Sequence, residues 1–111
     1  MSRTFYRFVA AEPPTVRDFA SNFQLGRPRR PQAGETEEEW RGLSVFDSIA
    51  AARAMLRRVP RFPLRLLARL EFPDDTPVQI KQTFAPGHYT VWGDPQVLLD
   101  TVAAVERIAG D

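Results

Sequence analysis

A chain of 111 residues with fifteen basic and fourteen acidic side chains carries a formal charge of +1. That suits a single domain and leaves little net field for holding a polyanion. With no cysteine and one histidine, the sequence excludes disulfide frameworks, thiolate zinc sites, cysteine nucleophiles and paired-histidine metal sites, so no metal is expected. Its 43% hydrophobic content is that of an ordinary globule. No apolar run approaches the ~20 residues of a membrane span, and no charged-then-apolar leader opens the chain, so a soluble cytoplasmic protein is expected.

Residues 4–10 are predicted to form a strand. Phe5, Arg7 and Val9 point one way, Tyr6, Phe8 and Ala10 the other, and both faces are largely apolar, as an interior strand requires. Glu12, Pro13 and Pro14 end it. Thr15 then has the chemistry of an N-cap, with Asp18 three residues on. Val16, Phe19, Ala20 and Phe23 follow at helical spacing and Gly26 supplies a stop, which predicts a helix. Residues 27–39 carry three arginines, two prolines and a run of glutamates, and read as an exposed loop or a partner-docking segment.

A second strand is expected over residues 40–46, with Leu43 and Val45 on one face and Ser44 and Phe46 on the other. Asp47 or Ser48 caps the next helix, whose buried stripe is Ile49, Ala52, Leu56 and Val59. Residues 64–72 alternate most clearly: Leu64, Leu66, Ala68, Leu70 and Phe72 against Arg65, Arg69 and Glu71. Val78, Ile80 and Phe84 continue as a strand after a turn, and residues 88–92 form a short aromatic one. Asp94 followed by Pro95 starts a helix, and residues 102–108 fit a final strand better than a helical continuation. This order predicts a small α+β domain, with a mixed or antiparallel sheet and two to three helices.

Three places could carry chemistry. Arg7 sits between Phe5 and Val9 on an apolar strand, where a guanidinium needs an acid, water or an anionic ligand. The segment 41–52 offers Gly42 for close approach, a hydroxyl on Ser44 and a helix start at Asp47 and Ser48. The segment 87–94 holds His88, the one side chain with an ordinary pKa near neutrality, beside Tyr89 and Trp92, which could face a flat ring. His88 also fits a packed, hydrogen-bonded role. The stretch 53–69 is basic, but its alternating leucines look buried, which argues against nucleic-acid binding.

The first strand with Tyr6 and Arg7, then Gly42, Ser44 and Phe46 feeding the alanine-rich residues 50–54, resembles the small ADP-ribosyltransferase-like fold. RES-type toxin domains that consume NAD have a similar order of elements. The resemblance implies a split sheet gripping NAD as substrate, with transfer or hydrolysis at the glycosidic bond. Arg7 would hold the nicotinamide ribose or phosphate, Ser44 would steady it, and Phe46 or Tyr89 would stack on nicotinamide beside His88. Such enzymes use a glutamate to stabilise an oxocarbenium-like transition state. Here only Glu71 and Glu106 are at hand in the late strands, so Glu106 is the catalytic candidate with Arg7 and Ser44, and no paired-glutamate signature accompanies it. The alternative from a different class is a non-catalytic protein-interaction module. It would dock a protein through residues 27–39, or form one component of a toxin–immunity or phage-related assembly.

Overall fold

A computed structural model describes residues 2–29 and 35–108. Six strands, β1 (Ser2–Val9), β2 (Leu43–Phe46), β3 (Leu66–Pro73), β4 (Gln79–Gln82), β5 (His88–Trp92) and β6 (Val102–Arg107), lie with three short helices, α1 (Glu37–Trp40), α2 (Ile49–Arg58) and α3 (Pro95–Leu99). The strands form one antiparallel sheet in the order β4-β5-β2-β1-β3-β6. The α+β class is as expected, but the sheet is continuous rather than split. β1 occupies an interior position, which explains why both of its faces are apolar.

Period-two alternation sends the two halves of each strand to two cores. On the first face Phe5, Val9, Leu43, Val45, Ala68, Leu70, Phe72 and Val91 pack beneath Phe19 and Leu98. On the second, Phe8, Phe46 and Leu67 pack beneath Ala52 and Leu56 of α2. Ser48 caps α2 by accepting from the Ala51 amide, and Asp94 caps α3 by accepting from the Gln96 amide, with Pro95 in the first turn.

Several expectations are corrected: Val59, expected in the buried stripe of α2, is its C-cap and 45% exposed, and Leu64, expected on the face of Leu66, packs with the second core instead. The helix expected after Thr15 shrinks to one 3-10 turn, Val16–Phe19. The Asp18 carboxylate accepts from the amides of both Ala10 and Thr15, pinning this turn to the end of β1. Ser21 then exchanges hydrogen bonds with Gln24, the kind of local bonding that competes with a helix. Of residues 27–39, Glu37 to Glu39 enter α1 rather than loop, and Trp40, expected to open the second strand, closes this helix, so that β2 starts only at Leu43. Thr36 caps α1, its hydroxyl accepting from the Glu39 amide, and residues 30–34 lie outside the described residues. Phe84 does not extend β4. It stands on the β4–β5 hairpin with φ at +63° and 56% exposed.

Candidate functional site

Arg7 points into the first face, beneath the 3-10 turn. Its Nε donates to the carbonyl of Asp18 at 2.8 Å, and its Nη1 to the carbonyl of Ser44 at 2.9 Å. Desolvation by burial lowers its pKa to about 10, against a smaller opposing pull from Asp18. It therefore stays charged at neutral pH. Its role is to tie the 3-10 turn to β2.

The register then separates the expected partners. Tyr6 of β1 lies opposite Phe46 of β2, and Phe46 opposite His88 of β5, so these three share the second face. Ser44, two residues from Phe46, faces the same way and is exposed. Arg7 and Tyr89 alternate to the first face, where the Tyr89 ring meets Phe5 edge-on at 5.2 Å. Glu106 lies on the outermost strand, opposite Leu67. The structure thus brings Ser44, Phe46 and His88 together on adjacent strands of one face, leaves Glu106 on that face but three strands away from β2, and turns Arg7 and Tyr89 to the other.

His88 is buried between two phenylalanines, its ring 5.5 Å from that of Phe46 and 5.0 Å from that of Phe84. Its Nδ1 lies 3.1 Å from the Thr83 carbonyl and 3.0 Å from the Thr83 hydroxyl. A carbonyl only accepts, so Nδ1 carries the proton and the lone pair rests on Nε2. The Thr83 hydroxyl, 2.7 Å from that of Thr90, accordingly has no base at Nδ1 to activate it. Burial pushes the His88 pKa below its ordinary 6.5. The Thr83 carbonyl opposes this, Arg58 adds to it, and Glu39 opposes it. The imidazole is neutral at physiological pH and hydrogen-bonded inside the fold.

Among the described residues, the surface has two hollows to note, and none of Arg7, Ser44, Tyr89, His88 or Glu106 lines either. One, of about 230 Å³, lies between Phe23, Gln24, Arg41, Gly42, Trp92 and Gly93, with Leu43 and Val91 also lining it. The other, of about 330 Å³, is lined by Pro73, Pro77 and Val97 with Glu71, Asp75 and Asp100. In the first, Phe23 packs edge-on against Trp40 at 5.7 Å, and the Arg41 guanidinium stacks 4.2 Å over the Phe23 ring. Trp92 is anchored by its indole N–H, which donates to the Glu38 carbonyl at 2.9 Å. Gly42 is required here, because a Cβ on it would overlap Thr90 and the Trp92 indole. The sequence had singled out Gly42 and Trp92 individually. Arg41 opened the candidate segment 41–52 without a role of its own and Phe23 was read as part of a helix face, since their meeting depends on α1 lying against the strand ends. Among the described residues, no group of three or more His, Cys, Asp or Glu could hold a metal ion, and no helix is long and apolar enough to cross a membrane.

No family model, curated protein or solved structure matches this chain.

Proposed function

We propose that this protein is a non-catalytic interaction module whose contact site is the hollow framed by Phe23, Arg41 and Trp92. One observation carries the reading. Arg7 and His88 are engaged inside the fold, whereas this hollow keeps aromatic surface in solvent, with Phe23 45% exposed beneath a stacked guanidinium. Tryptophan and arginine are enriched among residues that dominate protein–protein affinity, and they act from pockets of this kind. Its volume, about 230 Å³, falls below the ~300 Å³ lower end of small-molecule sites. It accommodates one apolar or aromatic side chain of a partner rather than a dinucleotide.

A displayed peptide library selected on the protein tests this. Enriched sequences should share an apolar or aromatic anchor. Their affinity should fall at least about tenfold in Phe23→Ala and Arg41→Ala variants of unchanged melting temperature. Failure to enrich any sequence, or equal binding to the variants, would defeat the reading.

A second reading, NAD binding with ADP-ribosyl transfer or glycohydrolysis, keeps the support of Ser44, Phe46 and His88 sharing one face with the Ser44 hydroxyl exposed. A ligand that binds only the native state raises the melting temperature. Millimolar NAD should do so, and Ser44→Val should abolish the rise; no rise at that concentration ends this alternative.

A further inference from the structure

We propose that the outer face of α2 docks on anionic phospholipid headgroups, with Phe84 entering the interface beside it, so that the protein is held against a bilayer without crossing it. Counted round the helix at about 100° per residue, Arg57 and Arg58 fall with Ala50 and Ala54 on the side away from Ala52 and Leu56, which α2 buries. Arg53 borders that side one turn before Arg57, and Arg61 follows just past the helix end. All four arginines are exposed. α2 contains no acidic residue, and among the described residues no carboxylate forms an ion pair with Arg53, Arg58 or Arg61. The whole chain carries only +1, so acids elsewhere offset this cluster, and the face is more positive than the molecule around it.

Helix stability accounts for part of the pattern. Arg57 and Arg58 stand in the last turn of α2, where positive charge offsets the helix dipole. That reason does not reach Arg53, a turn earlier, or Arg61, beyond the end. Two exposed apolar side chains stand at the same end: Val59, which follows Arg58, is 45% exposed, and Phe84 is 56% exposed. The Phe84 ring packs 5.0 Å from that of His88, and His88 feels the charge of Arg58, which puts the hairpin beside the C-terminal end of α2.

Three observations favour a lipid surface over other anionic partners. The hairpin flanks α2, with Gly87 against Ala51, so the helix does not protrude as one that enters a nucleic-acid groove must. Single strands are held on rows of aromatic side chains, and Phe84 is the one exposed aromatic ring at this end; Phe62 is half-buried in the second core. Neither surface hollow is lined by any of these residues, so the face has no pocket of the kind that anchors a protein partner. A cluster of arginines on an amphipathic helix, with an apolar side chain to enter the interface, matches an anionic bilayer.

Co-sedimentation with vesicles tests this. In about 0.1 M salt the protein should pellet with phosphatidylcholine vesicles containing about 30% phosphatidylglycerol, and not with phosphatidylcholine alone. Raising the salt to about 0.5 M should release most of it. Arg53→Ala and Arg58→Ala should each weaken the partition about fivefold. Phe84→Asn, which removes the ring but suits the positive φ of this position, should weaken it as well. Equal pelleting with neutral vesicles, a partition unaltered in these variants, or retention on a single-stranded oligonucleotide or polyglutamate but not on vesicles would overturn the proposal. Should a variant fail to fold, the comparison of anionic with neutral vesicles decides on the unaltered protein.

Discussion

Arg7 and His88 are the two side chains in which a sequence reader would first look for chemistry, and the fold uses both as fasteners. The guanidinium spans two carbonyls on separate elements, Asp18 in the 3-10 turn and Ser44 in β2. Hydrogen bonds from a charged donor contribute roughly 1.5–3 kcal/mol each where they are made. Arg7→Ala should therefore lower unfolding stability by about 2 kcal/mol or more, read as an earlier urea midpoint at unchanged slope. Arg7→Lys should recover less than half of that loss, because a single ammonium cannot reproduce the planar fork that reaches both carbonyls. A lysine variant of wild-type stability would mean that charge, not geometry, matters at this position. Alternation along β1 shows that Arg7 shares a face with Phe5 and Val9, and alternation along β2 that Ser44 shares one with Phe46. Neither shows how the two strands align. The pairing of Tyr6 with Phe46 puts Arg7 and Ser44 on opposite faces, so grouping them in one site needed a fact that no single strand contains.

The elements most legible in the sequence are those with local punctuation. Ser48 before α2, Asp94-Pro95 before α3 and the alternation in β3 all produced the expected structure. The helix expected from Val16 to Phe23 failed because its apolar spacing met competing contacts: Asp18 reaches back to β1, and Phe23 turns outward to Trp40 and Arg41. Turn glycines allow a paired test of what an element junction requires. Gly26 and Gly87 both have positive φ, +73° and +83°, but a Cβ on Gly26 meets open space, whereas one on Gly87 would stand 2.8 Å from the Ala51 Cβ of α2. Gly26→Ala should cost about 1–2 kcal/mol, the backbone penalty alone. Gly87→Ala should cost at least about 1 kcal/mol more, because it must also push the hairpin off α2. Equal losses in thermal melts would show that the hairpin and α2 are not in firm contact.

At the scale of the whole molecule, both sheet edges are protected against further pairing. β4 is four residues long, with Lys81 among glutamines and one isoleucine. In β6 the register shifts between Arg69 and Leu70, leaving Ala103 as an extra residue, and Glu106 and Arg107 follow. Short length, a bulge and charge are the usual means of keeping edge strands apart. Light scattering should accordingly find a monomer at about 100 μM; a concentration-dependent dimer lost on Val105→Pro would show that β6 pairs after all. The strand order also has a kinetic side. β1 bonds to both β2 and β3, yet it precedes β3 by everything from Ala10 to Arg65. During synthesis at roughly 5–20 residues per second, it waits on the order of several seconds for its longest partner. One edge of that greasy ribbon must stay unclaimed until β3 is made, so the segment that finally joins the two halves of the sheet is also one a chaperone would hold in the interval.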